Sequence, residues 1–164
     1  MADHPAPPLR ELALPDLDAA VAEARRLLDG GYVRRGSWSL GQICRHLTVS
    51  QRMTLEGAPW YLKAVVPLRP ILRRKVLPRL LAGDFPTGVP APGPFRPPAA
   101  TDADDAAEVA AFAESVARCQ ACERFKPIPP FGRLSVADTL RFHTNHAAHH
   151  LRHLQQAPSQ EATP

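Results

Sequence analysis

Apolar residues recur at helical spacing along most of this chain. Leu17, Val21, Ala24, Leu27 and Leu28 share one stripe over 16–28, and Gly30 with Gly31 supplies a stop, the pattern of an amphipathic helix. The second helix has a sharper start. Ser39 and Gln42 stand at the two positions of a capping box, and Trp38 and Ile43 at those of a hydrophobic staple, a signature that opens a helix. Leu40, Ile43, Leu47, Ser50 and Thr54 continue its stripe, with His46 on the border, until Gly57.

Residues 60–82 resist one continuous helix, because Pro67, Pro70 and Pro78 lack an amide donor and clash with the preceding turn. A short extra helix over 70–81 is expected, since proline suits a first turn. Residues 83–100 hold three glycines and six prolines and form a long irregular crossover. Thr101 or Asp102 then caps an alanine-rich third helix reaching about 125, its acidic start suited to the helix macrodipole. Residues 126–134 make a turn packed by its own apolar side chains. Ser135, with Asp138 three residues on, opens a fourth helix reaching about 154. No strand pattern competes. The expected fold is all-α, a four-helix bundle over 15–155 with a long Pro-rich crossover and a short extra helix. Poorly ordered tails are expected at 1–14 and 156–164.

Composition narrows the class. At 164 residues the chain makes one domain. No apolar run approaches the ~18–20 residues of a membrane span, and the start Met-Ala-Asp-His lacks the basic and apolar regions of a secretory signal. Three cysteines, an odd number outside a secretory context, point to reduced thiols in a cytoplasm. The formal charge of +4 is unevenly spread: Lys63, Arg69, Arg73, Arg74, Lys75 and Arg79 follow one another without an acidic residue. Such a segment suits a membrane surface or a phosphate. A solvated face with snorkelling side chains explains it more simply, and too few aromatics accompany it for a nucleic-acid site.

Five of the seven histidines fall within 143–153. At about 100° per residue, His143 and His150 point towards the stripe of Val136, Leu140, Ala147, Leu151 and Leu154. His146 sits on its flank, and His149 and His153 drift towards solvent. The i,i+4 pair His146 and His150 has the separation at which two imidazoles reach one ion. A third ligand from a facing helix, with positions left for water, completes the kind of site that holds catalytic zinc and related ions. His46, at mid-helix like His146 and His150, is the other ordered candidate. Cys119 and Cys122 would turn the pair into a Cys2His2 set, but their 23-residue gap to His146 exceeds the ~12–15 of a finger. A helical hairpin would also leave Cys122 ~16 Å from the histidines. Cys44, Cys119 and Cys122 are read as small helix residues.

Taken together, Trp38-Ser-Leu-Gly-Gln-Ile-Cys-Arg-His46-Leu, the glycine at 57, Pro130-Phe-Gly-Arg-Leu-Ser and Asn145-His146-Ala-Ala-His149-His150-Leu resemble the DinB/YfiT-like superfamily. More narrowly they resemble an uncharacterised branch with a proline-x-phenylalanine-glycine turn before the last helix. The resemblance covers about 15–155. It implies a DinB-like, up-down-down-up four-helix bundle with a divalent metal held by three histidines, which fall on His46, His146 and His150. It also implies kinship with thiol-cofactor-dependent transferases and isomerases, and with metal hydrolases. Two positions depart: Ile128 stands where the branch often has histidine, and His153 where it often has glutamine.

The expected protein is a metal-dependent enzyme, a transferase or a hydrolase, holding zinc or nickel at His46, His146 and His150. The metal would lower the pKa of a thiol or water to make a nucleophile. A low-molecular-weight thiol as cofactor follows from the resemblance alone. His143 and His149 are candidate proton shuttles, because imidazole titrates near neutrality. The rivals are a small-molecule hydrolase using water at the same ligands, and a non-catalytic metal-binding or stress-associated bundle. The expected partner is a small-molecule substrate, with no nucleic acid and no membrane; a homodimer is left open.

Overall fold

A computed structural model describes residues 9–88, 93–97, 99 and 104–157 of the chain, and over these the protein is mostly helical. Helix α1 (Leu17–Gly30) begins where the Asp16 carboxylate accepts from the Ala19 amide at 2.8 Å. Helix α2 (Leu40–Glu56) carries the whole capping box. Ser39 Oγ accepts from the Gln42 amide at 3.2 Å, and Gln42 Oε1 accepts from the Ser39 amide at 2.9 Å. Gly57 ends the helix at a φ of 110°, open to glycine and costly for other residues.

The connection that follows is more helical than its prolines suggested. A 3-10 helix (Trp60–Leu68) leads into α3 (Arg69–Lys75) and α4 (Leu77–Leu81), in place of the single helix expected over 70–81. The break falls at Val76 because Pro78 withholds an amide from the ladder and would crowd the Arg74 carbonyl; Pro78 sits instead in the first turn of α4. The basic segment is not merely solvated. Arg69 Nε donates to the Pro129 carbonyl at 3.2 Å, and Arg73 Nη1 donates to the carbonyls of Phe131 at 2.6 Å and Arg133 at 3.1 Å. These bonds pin the connection to the 128–133 turn. Gly132 fits there because its φ is +76° and a Cβ would meet Arg69 Cδ at 3.3 Å.

Helix α5 (Asp105–Gln120) is capped by Asp104, whose carboxylate accepts from the amides of Ala106 and Ala107. The expected caps, Thr101 and Asp102, lie outside the described residues. The helix stops short of 125 because Phe125 turns into the core and the Lys126 amide donates to the Thr54 carbonyl at 2.7 Å, which draws the chain back onto α2. Helix α6 (Val136–Leu151) starts at Ser135, as its spacing predicts, but ends three residues before 154. There Leu154–Gln156 (β2) pairs antiparallel with Tyr32–Arg34 (β1), a ribbon absent from the all-α expectation. Ahead of α1, in the expected N-terminal tail, Leu12 and Leu14 lie against the core. Arg10 pairs with Glu23 and donates to the Leu151 carbonyl. No helix among the described residues is long and apolar enough to cross a membrane.

The four long helices meet through their apolar stripes: α2 lies along α5 and also touches α6, and α1 packs on both α5 and α6. Phe112, Leu27, Leu40, Ile43, Leu47 and Leu151 are fully buried in the resulting cluster. A polar tie sets the level of α2 on α5. Asp105 accepts from the Gly41 amide at 2.6 Å and from the Tyr32 hydroxyl at 2.7 Å, and that hydroxyl accepts from the Leu40 amide. A carboxylate at a helix N-terminus is favoured by the dipole. A second, smaller cluster of Leu77, Leu80 and Phe131 gathers Leu72, Phe85, Ile128 and Phe142 around it. The histidine-rich part of α6 runs between the two.

Candidate metal centre

His46, buried at mid-α2, faces His146 and His150 on α6. Its Nδ1 lies 2.7 Å from the Phe95 carbonyl. A carbonyl can only accept, so Nδ1 carries the hydrogen and Nε2 presents a lone pair. That lone pair lies 3.2 Å from His146 Nε2, which in turn lies 3.1 Å from His150 Nε2. The three ligand nitrogens all fall within 4.8 Å of one another, so the group can hold a metal ion. Both short separations approach the ~3.3 Å expected between nitrogens ~2.0–2.1 Å from one tetrahedral zinc.

Hydrogen bonding among the rings alone serves this arrangement poorly. A hydrogen on His146 Nε2 would have to be shared between His46 and His150. Without it, the lone pairs of His46 and His146 would face each other. One cation would satisfy all three Nε2 lone pairs at once. Burial pushes the pKa of His46 down, with the Phe95 bond opposing it. Burial and then the neighbouring imidazoles hold His146 and His150 well below the ordinary histidine value. All three are neutral at pH 7, the form that binds metal.

Aromatic rings fix the ligands where hydrogen bonds do not. Trp38, delivered by the start of α2, stacks on His150 at 5.4 Å between centroids and lies 5.1 Å from His46. Phe85 stacks on His146 at 5.3 Å, and Phe142 lies 5.8 Å away on the same helix. His146 depends on this stacking, because its Nδ1 is buried without a partner among the described residues.

Among the described residues, openings reach the cluster from two separate sets of walls. A cavity of about 360 Å³ exposes His46 and His146, walled by Met53, Leu62, Val65, Phe95, Phe131 and Phe142. Ile128, one of the two departures noted in the sequence, also lines it. A separate cleft of about 180 Å³ reaches His150 between Ser37, Trp38, Thr87, His149 and His153. A roomier groove of about 530 Å³ beside Leu14, Gln120 and Arg141 touches none of the histidines.

Of the other histidines, His143 is buried, as the helical wheel expected, and His149 departs from that expectation. His143 is 2% exposed and outside both openings, and its Nε2 lies 2.9 Å from Thr54 Oγ1. The Thr54 hydroxyl lies 2.8 Å from the Gln51 carbonyl; giving its hydrogen there, it accepts from His143 Nε2. Burial drives the His143 pKa down to about 3. His149, expected to drift towards solvent, is 9% exposed, because α4 and the Phe85 segment cover that face of α6. Its ring lies 4.9 Å from His150 and 5.4 Å from Phe85, and burial lowers its pKa to about 4. His153 is half-buried at the cleft. No cysteine joins the three-histidine group among the described residues. Cys44 and Cys119 are buried and free, and burial pushes both thiols up, that of Cys119 to about 12.

Sequence reasoning had no signal for the Phe95 carbonyl, which selects the His46 tautomer from a short 3-10 turn (Gly93–Phe95) 49 residues away. It also missed the ring of Phe85.

Fold and site together define a mostly helical protein with three histidines, from two helices, that can hold one metal ion. The family described as "Protein of unknown function (DUF1569)" matches residues 7–157, and the chain belongs to it. No curated protein and no solved structure matches the chain.

Proposed function

We propose that this protein is a metal-dependent enzyme of the DinB/YfiT-like type. In this reading α1, α2, α5 and α6 form a four-helix bundle, and His46, His146 and His150 hold one divalent ion, zinc or nickel. The observation that carries the proposal is the convergence of three neutral ring nitrogens that a single hydrogen cannot serve. When bound there, such an ion lowers the pKa of an adjacent thiol or water enough to supply a nucleophile at neutral pH.

The protein's own residues do the rest. The Phe95 carbonyl holds His46 in the ligating tautomer, the role outer partners play around metal-bound imidazoles. Trp38 and Phe85 shield the ligand rings from water. Of the two shuttle candidates, His149 is the better placed, beside His150 at the mouth of the cleft. Its position, in ring contact with His150, is where a proton relay from the nucleophile would stand, although its lowered pKa makes it a weak base at pH 7. His143 is engaged by Thr54 and holds α6 against α2.

A low-molecular-weight thiol as nucleophile, carried by the resemblance to the DinB/YfiT-like superfamily, makes the enzyme a thiol-dependent transferase or isomerase. Water at the same place makes it a small-molecule hydrolase, and turnover with and without added thiol separates the two. The site itself is tested by metal analysis of untagged protein after dialysis. Near-stoichiometric divalent metal is expected in the wild type, with loss in His46→Ala, His146→Ala and His150→Ala. Metal retained by all three variants would sink the proposal.

A further inference from the structure

The two openings differ in chemistry, and the larger one restricts what the site takes. Among the described residues lining the 360 Å³ cavity there is no Lys, Arg, Asp or Glu. The Thr54 hydroxyl is already committed to Gln51 and His143, and the Phe95 carbonyl receives His46. Apart from the Ser50 hydroxyl, the remaining wall is hydrocarbon, aromatic ring and thioether, contributed by α2, the 3-10 helix, Phe95, the 128–131 turn and α6. Polar groups at its inner end belong to His46 and His146.

A charged group entering this space would leave its hydration behind and find no counter-charge on the walls, and unpaired buried charge is strongly disfavoured. A neutral apolar body loses nothing of that kind and gains burial. The volume sits at the small end of the ~300–1,000 Å³ typical of small-molecule sites. At ~30 Å³ per water-sized group, it takes on the order of a dozen non-hydrogen atoms.

We infer that this cavity is a substrate subsite for a neutral, largely apolar small molecule, aromatic or aliphatic, whose one polar end meets His46 and His146. The inference rests on the proposed function in placing the reacting end at the metal ligands, but the selectivity belongs to the walls. An apolar substrate thus enters by an opening whose lining residues are all different from those of the cleft at His150.

The test is isothermal titration calorimetry at pH 7.5 with 4-phenylbutan-1-ol and its isosteric cation, 4-phenylbutylammonium. Each is titrated into untagged protein as purified and after removal of metal with a chelator. The alcohol is expected to bind in both states, with the cation at least tenfold weaker in both. Val65→Lys and Met53→Lys introduce charge from two different elements, and each is expected to weaken alcohol binding at least tenfold. Two variants guard against one simply misfolding. Absent alcohol binding, discrimination below tenfold in the metal-stripped protein, or alcohol affinity unchanged in both lysine variants would overturn the inference. The two proposals fail separately. Protein that carries no metal but discriminates tenfold removes the metal centre and keeps the apolar subsite. Metal-loaded protein that does not discriminate, before or after stripping, removes the subsite and keeps the metal centre.

Discussion

The two hydrophobic clusters meet at the histidines and are built differently. The core of the long helices is made of fully buried side chains such as Phe112, Leu40, Ile43, Leu47 and Leu151, and it fixes where α2 and α6 stand. The smaller cluster has only Leu77, Leu80 and Phe131 as buried members and relies on half-buried neighbours such as Leu72, Phe85 and Phe142. Those neighbours supply the rings that cover His146. The first cluster thus places the three histidines, and the second covers His146. Placement and cover are then separable by mutation.

The largest effect expected is on placement. Phe112→Ala removes a ring with no exposed surface and should cost about 3–5 kcal/mol of unfolding free energy, read from urea denaturation of metal-free protein. Leu80→Ala, in the smaller cluster, should sit near the low end of such truncations, about 2 kcal/mol. It should mainly speed hydrogen exchange over 77–88. Equal losses in the two variants, with no local change in exchange, would erase the distinction.

Next comes acid. His143 lies within the helix contacts, neutral in the folded state with a pKa near 3, whereas the unfolded chain takes up a proton below about 6.5. Between those values the unfolded state binds more protons. Stability therefore falls as pH drops from about 6.5 towards 3, and this group contributes no slope above that window. The total is on the order of a few kcal/mol. His46, His146, His149, His150 and His153 shift in the same direction and add to the loss. A urea midpoint for chelated protein that stays level from pH 7.5 to pH 5 would contradict this.

The smallest effect concerns the attachment of the connection. Arg73→Ala frees the Phe131 and Arg133 carbonyls and should cost about 1 kcal/mol, with faster proteolysis at the 128–133 turn. Arg74→Ala serves as the control. Indistinguishable cleavage in the two variants would return the basic segment to a solvated face.

The sequence was most legible where local rules act alone. The capping box at Ser39 and Gln42 and the cap at Ser135 are short-range devices, and both stand where spacing predicts. The i,i+4 spacing of His146 and His150 likewise survives folding, because it depends only on helical pitch. What escaped was long-range. The end of α5 is decided by an amide meeting Thr54 across the molecule, and the β1–β2 ribbon joins two three-residue segments too short to show alternation. The depth of His149 depends on Phe85 and α4, elements whose path through a proline-rich stretch no periodicity announces. The apolar cavity is harder still to foresee, since its walls come from five stretches of chain.

The most direct measurement is X-ray absorption at the metal edge of untagged protein, loaded with zinc if none copurifies. Three imidazole nitrogens should surround the metal in the wild type, falling to two in His150→Ala. In thiol-free buffer, sulfur among the scatterers, or a spectrum unchanged by His150→Ala, would contradict the three-histidine centre.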